Sequence, residues 1–160
     1  MLYSRSQQIR PLVVLASFTL ALVTQATTLH ADVPVKLVST PALSSDGTTA
    51  VFSWRRDIWT ASTEGGTIRR ITHHPAMDVA PEFSPDGKEI AFSSDRSGSI
   101  QVYRVAAEGG SPTQLTFHSE GSVLEQWHGD SNELLVSGAR DNFWRRSERL
   151  FRINSSERCR

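Results

Sequence analysis

The sequence predicts an all-β fold: a partial β-propeller of about three four-stranded antiparallel blades, the third incomplete. Three observations carry this. One unit recurs three times along the chain, at a period near 40 residues. Within each unit, short stretches rich in branched and aromatic residues alternate in polarity with a period of two, which is the pattern of a strand. After residue 31 no stretch keeps an apolar period of 3.6 through three turns, so helix is not expected.

The first 31 residues stand apart from the repeats. Arg5 and Arg10 supply a positive start, "PLVVLASFTLALV" (11–23) is uncharged and apolar, and small residues surround Ala26. This is the layout of a secretory signal, with cleavage expected after Ala26 or Ala31. The apolar run falls short of the roughly 20 residues that span a bilayer core. Export to the periplasm or medium, with no stable membrane span after cleavage, is the expectation. Residues 32–41 read as a lead-in strand or linker.

The repeats occupy 42–154. The first unit reads "ALSSDGTTAVFSWRRDIWTASTEGGTIRRIT" (42–72), the second "EFSPDGKEIAFSSDRSGSIQVYRVAAEGGSPTQLT" (82–116) and the third "QWHGDSNELLVSGARDNFWRRSERLFRIN" (126–154). Unit boundaries are placed at 42–81, 82–125 and 126–154. Asp46, Asp86 and Asp130 mark one turn, at spacings of 40 and 44 residues. The difference in length falls in the loop after the second strand, where a sheet absorbs it.

Turn chemistry accounts for the aspartates. In Ser84-Pro85-Asp86-Gly87, proline presets φ, the aspartate bonds nearby backbone, and glycine accepts a positive φ. Ser45, Asp46 and Gly47 supply a variant of this turn, and Gly129-Asp130-Ser131 a more distant one. Beyond it, Ile90 and Phe92 share one face and Ala91 the other. Val102 and Arg104 then oppose Gln101, Tyr103 and Val105. Glu64-Gly65-Gly66 and Glu108-Gly109-Gly110 close the next turn, and "TIRRIT" and "PTQLT" supply a fourth strand.

A four-stranded sheet has two faces and cannot bury both alone, so such units stack round an axis. Three blades fall below the usual minimum of four. The expectation is therefore a fragment, a truncated product or a sequence whose other blades are missing. The third copy decays into a frayed or truncated tail, 155–160, with neither the Gly-Gly turn nor the outer strand.

Composition excludes some functions. Seventeen basic residues balance seventeen acidic ones, so no global field draws the chain to nucleic acid. Seven arginines lie between Arg140 and Arg160, a bias read as solvated surface. The single cysteine, Cys159, makes no internal disulfide. No G-x-S-x-G elbow occurs, and the Gly-Gly turns lack the Lys-Ser/Thr of a phosphate loop. His73 and His118 are read as occupying equivalent repeat positions, which explains their recurrence without a metal. No catalytic residue, cofactor or metal site is expected. Trp54, Arg55, Arg56, Asp95, Arg96, Trp144 and Arg145 fall on the variable loops, which gather at one rim and are the candidate binding surface.

The stretch "FSPDGKEIAFSSDRSGSIQVYRVAAEGGSPTQLTFHS" resembles the WD40-like propeller repeat of TolB and tricorn-protease proteins. Ser84-Pro85-Asp86-Gly87, Ser94-Asp95-Arg96, Tyr103, Gly109-Gly110 and Leu115-Thr116 match that repeat. "DIWTASTEGGTIRRITHHP" is closer to the opening of the N-terminal propeller of tricorn-like proteases. The resemblance implies a non-catalytic segment of an exported serine protease, offering peptides a recognition or gating surface beside a missing C-terminal peptidase region. The alternative is a TolB-like periplasmic module that binds proteins in envelope complexes. In TolB-like proteins a small α/β domain precedes the repeats. Here the repeats begin within about ten residues of the signal, which favours the protease-like parent.

Overall fold

The computed structural model describes residues 38–129, 132–139 and 148–156. Eleven strands are present among them, in three antiparallel sheets. The first sheet holds β1 (Ser39–Leu43), β2 (Thr49–Trp54), β3 (Asp57–Ser62) and β4 (Arg69–Arg70), in that order. The second repeats it with β5 (Asp78–Phe83), β6 (Glu89–Ser94), β7 (Gln101–Ala106) and β8 (Thr113–Gln114). The third orders β9 (Val123–Trp127), β10 (Glu133–Gly138) and β11 (Arg149–Asn154). The sheets form an open, unclosed propeller-like array, and the third has three strands among the described residues.

Each sheet opens upstream of the turn that marks its repeat. β1 and β5 carry Pro41 and Pro81 together with a register shift, and Thr40 and Ala80 take φ of 48° and 50° beside them. Proline lacks a ladder donor and is tolerated in a sheet at such a bulge. That interruption hides a strand from a search for clean alternation.

The following turn is built alike in the first two copies. The Ser84 hydroxyl donates to Asp86 Oδ1 at 2.7 Å, and the Lys88 amide donates to the same oxygen at 3.1 Å. Ser44 and Thr48 repeat both bonds to Asp46, at 2.6 and 3.0 Å. Gly47 and Gly87 sit at φ of 71° and 70°, where a side chain is strained. In the third copy the positive φ moves to Gly129, at 56°. Asp130, the third turn aspartate, lies outside the described residues.

Alternation then distributes the side chains. Ile90 pairs across the ladder with Val105, and Phe92 with Tyr103. These four face the first sheet and pack with Val51, Ile58 and Ile71. Ala91 and Val102, on the opposite face, pack with Leu115 and with Leu124, Trp127, Leu134, Val136 and Ile153 of the third sheet. The middle sheet is therefore buried on both faces. Each large side chain so removed from water contributes about 1.5–3 kcal/mol. The far face of the third sheet is less covered: Leu150 is 62% exposed.

The recurring Ile71-Thr72 and Leu115-Thr116 pairs finish each four-stranded sheet. The aliphatic residue enters a core, while the threonine hydroxyl accepts a strand amide. Thr72 takes Ile58 N–H and Thr116 takes Val102 N–H, both at 2.9 Å.

Candidate functional site

The hairpin topology gives the array two rims. One holds the Asp46 and Asp86 turns and the Gly-Gly hairpins. The other holds the β2–β3 and β6–β7 loops and the connections between sheets.

On the loop rim, β2 and β3 meet in a two-residue turn, Arg55-Arg56, with φ of 51° and 73°. Positive φ at both positions matches the twist of a tight hairpin but is costly for arginine. Trp54 packs edge-on against Trp59 at 5.1 Å, its carbonyl accepts Trp59 Nε1–H at 2.9 Å, and Arg55 lies 4.7 Å over its ring. Trp54 and the two arginines thus form an aromatic and cationic corner. The Arg56 carbonyl accepts the Asp78 amide at 2.9 Å, tying this corner to the start of the second sheet.

Asp95 and Arg96 take different roles. Asp95 Oδ1 accepts the Met77 amide at 2.7 Å, fixing the connection between sheets. Arg96 turns inward: its side chain is 13% exposed, and its Nη2 lies 2.8 Å from both oxygens of Asp78, which is fully buried. The guanidinium also covers Phe92 and Tyr103, at 5.2 and 4.8 Å from the ring centres. A buried carboxylate needs such a partner. Asp78 was not marked by the repeat pattern, because the third copy has Ser122 there. Trp144 and Arg145, the other candidates on this rim, lie outside the described residues.

The equivalent histidines are His74 and His118, each two residues beyond the recurring threonine. This corrects the pairing of His73 with His118, which ignored the extra residue offset. Each accepts a backbone amide at Nδ1, from Ala76 at 3.1 Å and from Glu120 at 3.2 Å, so both brace a turn. Among the described residues no three His, Cys, Asp or Glu side chains gather as a metal site.

Two clefts lie between sheets. A cleft of about 170 Å³ on the loop rim separates the second and third sheets and is lined by Ile100, Glu120, Val123, Ala139 and Glu148. A larger one, about 260 Å³, opens on the turn rim between the first and second sheets. Asp46, Asp86, Thr60, Phe83, Arg69 and Glu108 are among its walls. Hydrogen bonds from Ser44 and Ser84 hold the Asp46 and Asp86 carboxyls below the ordinary aspartate value, so both are anionic at neutral pH. Arg69 Nη1 meets Glu108 Oε2 at 2.9 Å and its Nη2 donates to the Ala107 carbonyl at 2.8 Å. The repeat pattern marks these aspartates as turn residues, and the cleft exists only where two sheets meet.

The comparisons agree with this architecture. Residues 35–159 match the family described as the tricorn protease N-terminal beta propeller domain. A stretch of 48 residues, 29% of this chain, is 50% identical to the Tol-Pal system protein TolB of Bordetella pertussis and of Bordetella bronchiseptica. That stretch spans 11% of each relative's length. Among solved structures, putative TolB from Agrobacterium tumefaciens superposes with a TM-score of 0.63 at 23% identity, covering 73% of this chain and 44% of that one. TolB from Acinetobacter baumannii gives 0.63 at 24%, covering 74% and 30%. The tricorn protease gives 0.53 at 21%, covering 63% and 11%. At these identities the structures establish a shared fold. No described helix is long and apolar enough to cross a membrane. The molecule is a β-propeller module related to both TolB and tricorn propellers, and by its match over residues 35–159 the chain belongs to the tricorn protease N-terminal beta propeller domain family.

Proposed function

We propose that this chain is an exported, TolB-like module that binds protein in the periplasm. The observation that carries the reading is the 50% identity to Tol-Pal system TolB proteins over 48 residues. The signal-like start supports export, and the expected working compartment is the periplasm or medium. The module acts by recognition, using rims built from turns and loops, with no bond chemistry of its own.

A second reading keeps the chain as the peptide-gating propeller of a tricorn-like protease. The match of residues 35–159 to the tricorn propeller family favours it. The two separate by partner. Calorimetric titration of the full chain with the Pal component of a Tol-Pal system is expected to give saturable binding. Absence of heat with Pal, together with binding of unstructured peptides, would replace the first reading with the second.

A further inference from the structure

The turn-rim cleft between the first and second sheets has features that turn chemistry does not require. Three carboxylates line it, from Asp46, Asp86 and Glu108, against the single guanidinium of Arg69. That guanidinium is already engaged by Glu108 and the Ala107 carbonyl. Asp46 and Asp86 accept hydrogen bonds mostly at Oδ1; Asp46 Oδ2 takes the Thr48 hydroxyl at 3.0 Å and Asp86 Oδ2 meets the exposed Lys88 ammonium at 3.4 Å, and each carboxylate keeps a lone pair for one more donor.

The independent observation is Thr60. It lines the cleft from the face of β3 that looks toward the second sheet, opposite Val51, and the residue is 5% exposed. Its hydroxyl makes no side-chain hydrogen bond among the described residues. The recurring threonines Thr72 and Thr116, by contrast, spend their hydroxyls on strand amides. Unlike the sealed Ser53 hydroxyl, the Thr60 oxygen opens onto the cleft, where it can take a hydrogen bond from an incoming donor.

We propose that this cleft is a binding subsite for the cationic side chain, lysine or arginine, of an extended peptide segment. Thr60 would accept a hydrogen bond from the ammonium or guanidinium, Asp46 and Asp86 would neutralise its charge, and Phe83 would flank the aliphatic stem. The pairing of Arg69 with Glu108 holds that guanidinium in place, and an incoming cation would compete only with the exposed Lys88 for Asp86. The inference rests on the protein-binding reading above and names the side chain the partner presents. It also moves recognition from the variable loops to the rim made by the repeat turns.

The test uses the full chain labelled with ¹⁵N and two capped peptides, acetyl-Gly-Lys-Gly-amide and acetyl-Gly-Glu-Gly-amide. The lysine peptide is expected to shift the amides of Thr48, Thr60, Gly87 and Ala107 saturably, more weakly at high salt. The glutamate peptide is expected to leave them in place. Thr60→Val should weaken lysine-peptide binding about fivefold, the worth of one ordinary hydrogen bond, while leaving thermal stability unchanged or higher. Thr60→Ser, which keeps the hydroxyl, should restore binding. Equal shifts with both peptides, no shifts at all, or shifts confined to the loop rim would overturn the inference. If Pal binds the chain and the lysine peptide neither binds nor competes, the subsite fails while the protein-binding reading stands. If the lysine peptide binds and Pal does not, the subsite holds and the identity of the partner is wrong.

Discussion

Two seams join the three sheets, built from the same repeat positions by different means. The first seam is aromatic at its centre: Phe92 stacks on Tyr103 at 5.9 Å, and the Arg96–Asp78 pair seals one end. The second seam is largely aliphatic, with Trp127 set among Ala91, Val102, Leu134 and Val136. Polar links differ too. Ser93 accepts the Leu124 amide across the second seam at 2.9 Å, whereas its counterpart Ser53 is buried with an unpaired hydroxyl. There the equivalent amide, from Ala80, goes to Thr40 Oγ1 at 3.2 Å. The repeat therefore fixes which positions meet a neighbour, and individual residues decide how each seam is satisfied.

The largest expected effect is at the centre of the first seam. Phe92→Ala removes a fully buried ring and should cost about 3–5 kcal/mol in denaturant unfolding. If the loss is below 1 kcal/mol, the first seam is not a packed core. Arg96→Gln comes next: it strands the Asp78 carboxylate in the interior, at a cost of about 3 kcal/mol. The double change with Asp78→Asn should recover part of that loss, which separates the stranded charge from the lost stacking.

The two serines give the sharpest comparison. Ser93→Ala orphans the Leu124 amide and should cost about 1–2 kcal/mol, while Ser53→Ala removes a group that has no partner and should be neutral or stabilising. Equal effects at the two sites would mean that the seams are polar equivalents.

The smallest effect is a pH dependence of opposite sign in seam and turns. Burial pushes the Glu82 carboxyl up from its ordinary value of 4.5, and the Trp127 amide bonded to it only partly offsets this. Between 4.5 and the raised value the native chain holds more protons than the unfolded one, so stability falls as pH rises through that window. Asp46 and Asp86 act the other way. Their carboxyls are held below 3.8, so the stability they contribute is lost as pH falls beneath that point. Glu82→Gln should remove the first slope and leave the second, in unfolding curves collected from pH 3 to 7.

Local chemistry made much of the fold legible in the sequence. The Asp46 and Asp86 turns are closed by residues within five positions, and the alternation of Ile90, Ala91 and Phe92 already separates the two faces. Which face meets which neighbour was not legible, because that depends on packing between sheets. The strands at Ser39–Leu43 and Asp78–Phe83 were masked by a proline and a bulge. Arg96 falls on a variable loop, and its inward turn is not legible there because its partner Asp78 lies 18 residues away and is not repeated. Thr60 gave no signal, since threonine is ordinary in a strand. Its meaning appears only when the neighbouring sheet closes a space around it.

The unlike faces of the middle sheet give the stack a direction. Ile90 and Phe92 serve the sheet before, Ala91 and Val102 the sheet after, so the middle unit turned back to front would meet each neighbour with the wrong surface. Growth by duplication preserves this polarity only when a whole unit is copied. A single-residue slip would exchange the two sides at once, which makes the strand register the heritable grammar of the array.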